Sequence, residues 1–251
     1  GSISSAPPRI ATLQVRALGQ SRVLKEGVEI TRADWSSQRI RELFFFLIDR
    51  APISRDRVLG IFWPDKPLSR AANNLYQILF RLRRIVGYSA LVLEDQECRL
   101  AAELSIDYDV ARFEAAARQA LALMPGNLRR SGMLASASKM YTGDYLADLP
   151  VDWALERRRE LADLYVAVLI AYSDELMNLT RYVEARDALA KALAADSLRD
   201  ELHERMLVCL AGLGRRHAVV DYYRHYRETL RTELGLDPPP EMRALYARLI
   251  G

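Results

Sequence analysis

The sequence predicts a mainly α chain, in which a small α+β domain precedes an all-α one. Three observations carry this reading. Apolar residues alternate in the strand manner near the start and then give way to three helical stretches and a hairpin. From Asp107 onward the pattern is helical almost throughout. The charge also changes sign between the halves: residues 1–100 hold 16 Lys/Arg against 10 Asp/Glu, whereas residues 101–251 hold 20 against 23. A basic N-terminal half is the one suited to an anionic partner. The expected division is 1–8 tag and linker, 9–103 first domain, and 104–251 second domain. Gly1-Ser2 reads as an appended dipeptide, so a further upstream segment is expected in the natural protein.

Ile10, Leu13, Val15, Val23, Leu24, Val28 and Ile30 alternate around turns at Gly19-Gln20-Ser21 and Glu26-Gly27, which predicts an antiparallel meander. Asp34 or Ser36 is expected to cap a helix running to about Asp49, and Ala51-Pro52 to stop it. Ser54 opens a short helix to about Phe62, and Trp63-Pro64-Asp65-Lys66-Pro67 forms a rigid turn. Ser69 then caps a third helix, Arg70 to Val86, which Gly87 ends. Leu91–Leu93, a turn at Asp95-Gln96-Glu97, and Cys98–Ala101 make a final hairpin. Three strands, three helices and a hairpin, in that order, describe a winged helix.

The second half breaks at Pro125-Gly126-Asn127, Thr142-Gly143-Asp144, Leu149-Pro150, Asn178-Leu179-Thr180, Asp196-Ser197, Gly212-Leu213-Gly214 and Pro238-Pro239-Pro240. Turns at 178–181 and 212–215 each lead into a helix carrying Ala185 or Ala218, which stand 33 positions apart. That spacing lies close to the tetratricopeptide period, so the half is expected to be a short helical solenoid, tetratricopeptide-like in kind.

The third helix carries the candidate site. At about 100° per residue, Arg70, Asn74, Gln77, Arg81 and Arg84 fall within an arc of roughly 80°. Ala71, Leu75, Ile78, Leu82 and Ile85 fall within another, centred about 100° away. No acid occurs between Asp65 and Glu94. Arginine, asparagine and glutamine can make paired hydrogen bonds to guanine or adenine edges, and arginine also reaches phosphates. The N-terminal half of such a helix enters the major groove. Arg70, Asn73, Asn74 and Gln77 are therefore assigned to bases, and Arg81 and Arg84 to phosphates of double-stranded DNA. Arg39, at the start of the first helix, and Arg99, in the hairpin, are further phosphate candidates.

Other chemistries find little support. No GxxxxGK[ST], HExxH, GxSxG or GxGxxG occurs. His217, Asp221 and His225 recur at four-residue spacing, but polar residues on a solenoid helix account for them, and no metal or cofactor is expected. Tyr222, Tyr223 and Tyr226 read as repeat packing. Cys98 and Cys209 are far apart and form no CxxC, which fits a reducing cytoplasm. The longest apolar run, Leu43 to Ile48, is too short to span a bilayer.

Several segments together resemble the Streptomyces antibiotic regulatory protein type of activator, over about Arg9 to Ile250. They are Ser69–Leu75 with Arg81-Leu82-Arg83-Arg84; Ile106–Phe113; Tyr141–Leu146; Trp153 with Glu156-Arg157-Arg158; and Glu233–Pro238 with Leu245-Tyr246. The resemblance implies an OmpR-like winged helix followed by a bacterial transcriptional activator domain. It implies a non-enzymatic regulator that binds DNA and recruits RNA polymerase or another protein, with a dimer on DNA as one arrangement. This sequence departs from the family at the hairpin, whose tip reads Gln96-Glu97-Cys98-Arg99-Leu100 instead of being glycine-rich, and at Ser197, which stands where a turn proline is usual. The acidic tip supports an alternative, an interaction scaffold whose winged helix no longer binds DNA.

Overall fold

The computed structural model describes residues 12–87, 90–102 and 104–251. Ile10, read above as a strand residue, and the 1–8 tag and linker lie outside them. Contacts divide the chain into two compact units. The first runs to residue 111 and includes 142–158; the second comprises 112–141 and 159–251. The division expected at 103/104 differs from this, because 104–111 and 142–158 pack within the first unit.

The first unit opens with the expected meander: β1 (Thr12–Arg16), β2 (Arg22–Lys25) and β3 (Val28–Glu29), with Val15 opposite Val23. Helix α1 (Gln38–Arg50) follows, then β4 (Ile53–Ser54), α2 (Arg55–Phe62), α3 (Leu68–Val86), the hairpin β5 (Leu91–Glu94) and β6 (Glu97–Leu100), and β7 (Ser105–Tyr108). Two of these strands were not foreseen. β7 pairs parallel with β1, and β4 pairs with β6, so the sheets run β3-β2-β1-β7 and β4-β6-β5. The hairpin turn is tighter than expected: Asp95 and Gln96 alone make it, at φ 49° and 64°, and Glu97 is already in the strand.

Two helix starts also differ. The α1 cap is Ser37, whose hydroxyl accepts from the Ile40 amide at 3.4 Å, and not Asp34 or Ser36. Asp34 is occupied by the amide and hydroxyl of Thr31, and Ser36 takes a left-handed φ of 57°. Ser69 does not cap α3. The helix begins two residues earlier, at Leu68 behind Pro67, whose carbonyl accepts from Ala71 at 3.0 Å. Ser54 does cap α2, accepting from Arg57.

Helix α1 supplies the core of this unit through Ile40, Leu43, Phe44, Phe45 and Leu47, all essentially inaccessible. The chain returns to β1 through segment 142–158. Leu18 bridges Tyr145, the Leu146 amide donates to Ala17, and the Gly19 amide donates to Asp144. Gly143 allows this close approach, since a Cβ on it would stand 3.0 Å from the Gly19 Cα and force the backbone apart by a few tenths of an ångström. Tyr145 is fully buried, and Trp153 packs edge-on to Phe46 at 5.2 Å.

Two carboxylates organise this unit. Asp109, buried at 8% exposure, accepts from the Ala17 amide with both oxygens, and from the amides of Leu18 and Val110. Asp148 accepts from the amide and hydroxyl of Ser21 and pairs with Arg41 at 2.7 Å. Burial alone would push the Asp148 carboxyl up, but the Ser21 and Arg41 contacts bring it below its ordinary value.

The second unit is helical throughout: most of α4 (Asp109–Ala122), α5 (Arg130–Met140), most of α6 (Leu155–Asn178), α7 (Tyr182–Ala195), α8 (Asp200–Gly212), α9 (Arg216–Leu234) and α10 (Pro240–Ile250). Tyr141 stacks on Tyr165 at 4.3 Å, and a buried Arg130–Glu175 pair closes at 2.5 Å. Leu176, Leu189, Leu202, Leu207 and Met242 fill the repeat core, together with Tyr223 and Tyr226. Tyr222 bonds to His203 at 2.7 Å.

The repeat is real, but its register is one residue longer than the Ala185–Ala218 alignment suggests. Thr180 and Gly214 take the same left-handed turn, at φ 56° and 69°. The Arg181 amide donates to Leu176, and the Arg215 amide donates to Leu210. Each of these pairs of positions is 34 apart, so the counterpart of buried Ala185 is buried Val219, not Ala218. Gly212 lets α7 and α8 approach closely, for a Cβ there would stand 2.3 Å from the Tyr182 ring.

Two predictions follow from the closure of the first unit. Asp148→Asn leaves the Arg41 guanidinium buried without its counter-charge and should lower stability by about 3 kcal/mol in urea unfolding. The carboxyl has a folded pKa below its unfolded value near 4. Its stabilisation is therefore complete above the unfolded value and lost as pH falls through the folded one. The gap between wild type and variant should thus be full at pH 6 and narrow below about pH 4. Second, a chain ended at residue 103 should fail to fold cooperatively, because it lacks β7, Asp109 and 142–158. Circular dichroism melting of that fragment checks this, and a sharp transition would contradict it.

Candidate nucleic-acid interface

Helix α3 presents the candidate site. Its buried side chains are Ala71, Leu75, Leu79, Leu82 and Val86. Ile78 and Ile85, assigned above to the packing face, are only half-buried, and Leu79 and Val86 take their places. The core direction therefore lies about 140° from the polar stripe, and not about 100°. The solvent-facing arc is correspondingly broader than expected.

On that arc Arg70, Asn73, Gln77, Arg81 and Arg84 are exposed, and Asn74 is half-buried at its edge. Among the described residues, Arg70, Arg81 and Arg84 make no ion pair or side-chain hydrogen bond. Long side chains held in water with no acid on their helix can turn to an anion without breaking a bond. Arg83 is different, since its Nε donates to the Leu91 carbonyl at 2.9 Å and ties α3 to the hairpin.

The two outlying candidates are not free in this way. Arg39 reaches Glu42 at 3.4 Å and lies 5.6 Å over the Phe62 ring. Gln38 also donates to Glu42, which is buried. Arg99 is clamped by Glu97 at 2.7 Å, and that hydrogen bond, reinforced by the charges of Glu97, Asp95 and Glu94, raises its affinity for its proton. The hairpin tip therefore offers an anion mostly carboxylates.

Tyr76 and Phe80 share the exposed face of α3, at 51% and 56% exposure, and neither was singled out from the sequence. Their four-residue spacing is visible in the sequence, but a packing face through Ile78 and Ile85 leaves no reason to distinguish them from other exposed side chains.

Elsewhere, Cys98 and Cys209 are free and buried, and burial raises both thiols. Among the described residues, no group of three or more His, Cys, Asp or Glu is arranged to hold a metal. Among them, too, no helix is long and apolar enough to cross a membrane.

A winged helix joined to tetratricopeptide-like repeats is the architecture of a class of bacterial transcription regulators. The sequence profile of the bacterial transcriptional activator domain matches residues 108–250. The chain belongs to that family, within the Streptomyces antibiotic regulatory protein type of regulator. It is similar to the regulatory protein AfsR of Streptomyces griseus, with 26% identity over 98% of this chain and 25% of the relative. The transcriptional regulatory protein MoaR1 of Mycobacterium tuberculosis is 25% identical over 79% of this chain and 67% of its own length. The chain thus spans about a quarter of AfsR. The structure of Mycobacterium tuberculosis EmbR, solved in complex with a low-affinity phosphopeptide, superposes with a TM-score of 0.76 at 21% identity. That match covers 96% of this chain and 65% of EmbR, and it shows a shared fold.

Proposed function

We propose that this protein is a sequence-specific DNA-binding transcriptional activator of the bacterial cytoplasm, without enzymatic activity, cofactor or metal. Its winged helix reads promoter duplex, and its helical repeats contact RNA polymerase or another protein. The observation that carries the reading is the acid-free face of α3, where, among the described residues, Arg70, Arg81 and Arg84 stand unpaired beside Asn73, Asn74 and Gln77. Unpaired arginines displace condensed counterions from phosphates, which makes binding strongly salt-dependent. The uncharged amides gain little from phosphate and discriminate bases by hydrogen-bond pattern. Arg39 and Arg99 contribute to phosphate binding only if they leave Glu42 and Glu97. A dimer on DNA would place two such helices on successive half-sites.

A second reading, an interaction scaffold that has given up DNA, draws on one observation: Glu97 neutralises Arg99 in the hairpin, beside exposed Glu94 and Asp95.

The test separates reading from gripping. A preferred duplex is selected from a random pool, and affinity is measured on it and on random DNA at several salt concentrations. Gln77→Ala should cost about 1–3 kcal/mol on the preferred site and little on random duplex. Arg84→Ala should weaken both and flatten the salt slope by about one unit. An unchanged specific-to-random ratio in Gln77→Ala would remove that residue from base readout. Absence of any duplex binding at low salt would favour the scaffold.

A further inference from the structure

Tyr76 and Phe80 are large aromatic side chains left in water one turn apart on α3. The apolar side chains that stabilise the helix are elsewhere, at Ala71, Leu75, Leu79, Leu82 and Val86, so the fold does not need aromatic groups at 76 and 80. Nor do they form a separate apolar face. At about 100° per residue, Phe80 points about 20° from Asn73, 40° from Arg84 and 60° from Gln77, and Tyr76 lies about 40° beyond Phe80. Phe80 is thus set among amides and arginines that are unpaired among the described residues, and Tyr76 stands between Phe80 and Arg83, whose Nε donates to the Leu91 carbonyl.

That surrounding charge decides what covers them. An apolar protein patch would have to desolvate Arg70, Arg81 and Arg84 along with the rings. A DNA major groove supplies phosphates for the arginines, base edges for the amides, and one apolar group of its own, the C5-methyl of thymine. We propose that Tyr76 and Phe80 are methyl-reading residues: they pack on thymine C5-methyl groups in the major groove, beside the bases addressed by Asn73 and Gln77. The inference rests on the DNA-reading role of α3 proposed above. Four residues of helix advance about 6 Å, close to two base steps of about 3.4 Å. The two methyls should therefore belong to thymines about two steps apart.

Replacing thymine by deoxyuracil deletes the methyl and leaves the pairing and the O4 acceptor intact. The full chain is first shown to bind a preferred duplex selected from a random pool. Each thymine of that duplex is then replaced singly by deoxyuracil. Two positions, about two steps apart, should each lose about fourfold in affinity, the equivalent of one buried carbon. In Phe80→Ala the response at one of these positions should vanish, and in Tyr76→Ala the response at the other, as expected of directly coupled partners. Both residues are exposed, and thermal melting checks that the variants fold.

Selective binding that is insensitive to deoxyuracil at every position overturns the inference and leaves the DNA reading of α3 standing. So does a deoxyuracil effect that survives unchanged in both variants, which would hand the methyls to other side chains and release the aromatic pair to a protein partner. A wild-type chain that binds no duplex at all overturns the DNA reading itself, and the methyl readout with it. The deoxyuracil series on the wild type needs no variant, so its negative outcome overturns the inference even if a substituted chain misfolds; should an alanine variant misfold, Tyr76→Leu and Phe80→Leu assign the positions instead.

Discussion

The end of β1 is a buried strand end whose amides must find acceptors, and the carboxylate of Asp109 provides them. The amides of Ala17 and Leu18 both donate to it, as does that of Val110 at the start of α4. A buried amide without an acceptor costs about 1–3 kcal/mol, so one side chain here secures three backbone groups. The neighbouring interactions are arranged around this point. β7 reaches Asp109 by running parallel to β1, and the Ala17 and Gly19 carbonyls, on the other side, receive the amides of Leu146 and Ala147. Burial pushes the Asp109 carboxyl up. The cost of keeping it charged is offset by the number of donors that converge on it. Helix α1 is tied to the same region at both ends: its Arg41 fixes Asp148 of the returning segment, and its Asp49 accepts from the Tyr108 hydroxyl at the end of β7.

Much of this fold was legible in the sequence because it rests on local chemistry. The Ser54 cap, the Gly87 stop, the meander turns and the proline turn before α3 each have a short-range cause. β7 and β4 were not legible. Ser105-Ile106-Asp107-Tyr108 does alternate, but over only four residues that lead straight into a helix, and Ile53-Ser54 is only two residues long, so each is a strand only because a distant partner is present. Segment 142–158 was hidden for a related reason. Gly143 and Pro150 look like breaks between helices, and nothing local says that Tyr145 is buried in the first unit or that Trp153 packs on Phe46. The repeat register slipped by one because Ala185 was matched to an alanine, whereas burial equates it with Val219.

The candidate site was legible in part, and its error has a single source. Helix α3 contains adjacent apolar pairs, Ile78-Leu79 and Ile85-Val86, and either member of each pair completes a plausible packing face. Burial selects Leu79 and Val86, which rotates the core direction by about 40° and brings Tyr76 and Phe80 onto the open side. The arginines and amides stayed on the solvent arc under either choice, apart from Asn74 at its margin. The partners of the outlying arginines were within reach of simple rules. Glu42 lies three residues after Arg39 on one helix, and Glu97 lies two before Arg99 on one face of a strand.

The first unit is discontinuous in the chain, and this bears on how such proteins can be inherited and recombined. A gene exchange that joined the winged helix of one regulator to the repeats of another at residue 111 would leave 142–158 to come from the wrong parent. Arg41 and Ser21 would then face a foreign residue in place of Asp148, and Gly19 one in place of Gly143. Exchanges at that seam survive only where both parents encode a matching return segment. Selection is therefore expected to keep the reader and the segment that closes it together in descent, across the 30 intervening residues of 112–141, even when those helices diverge.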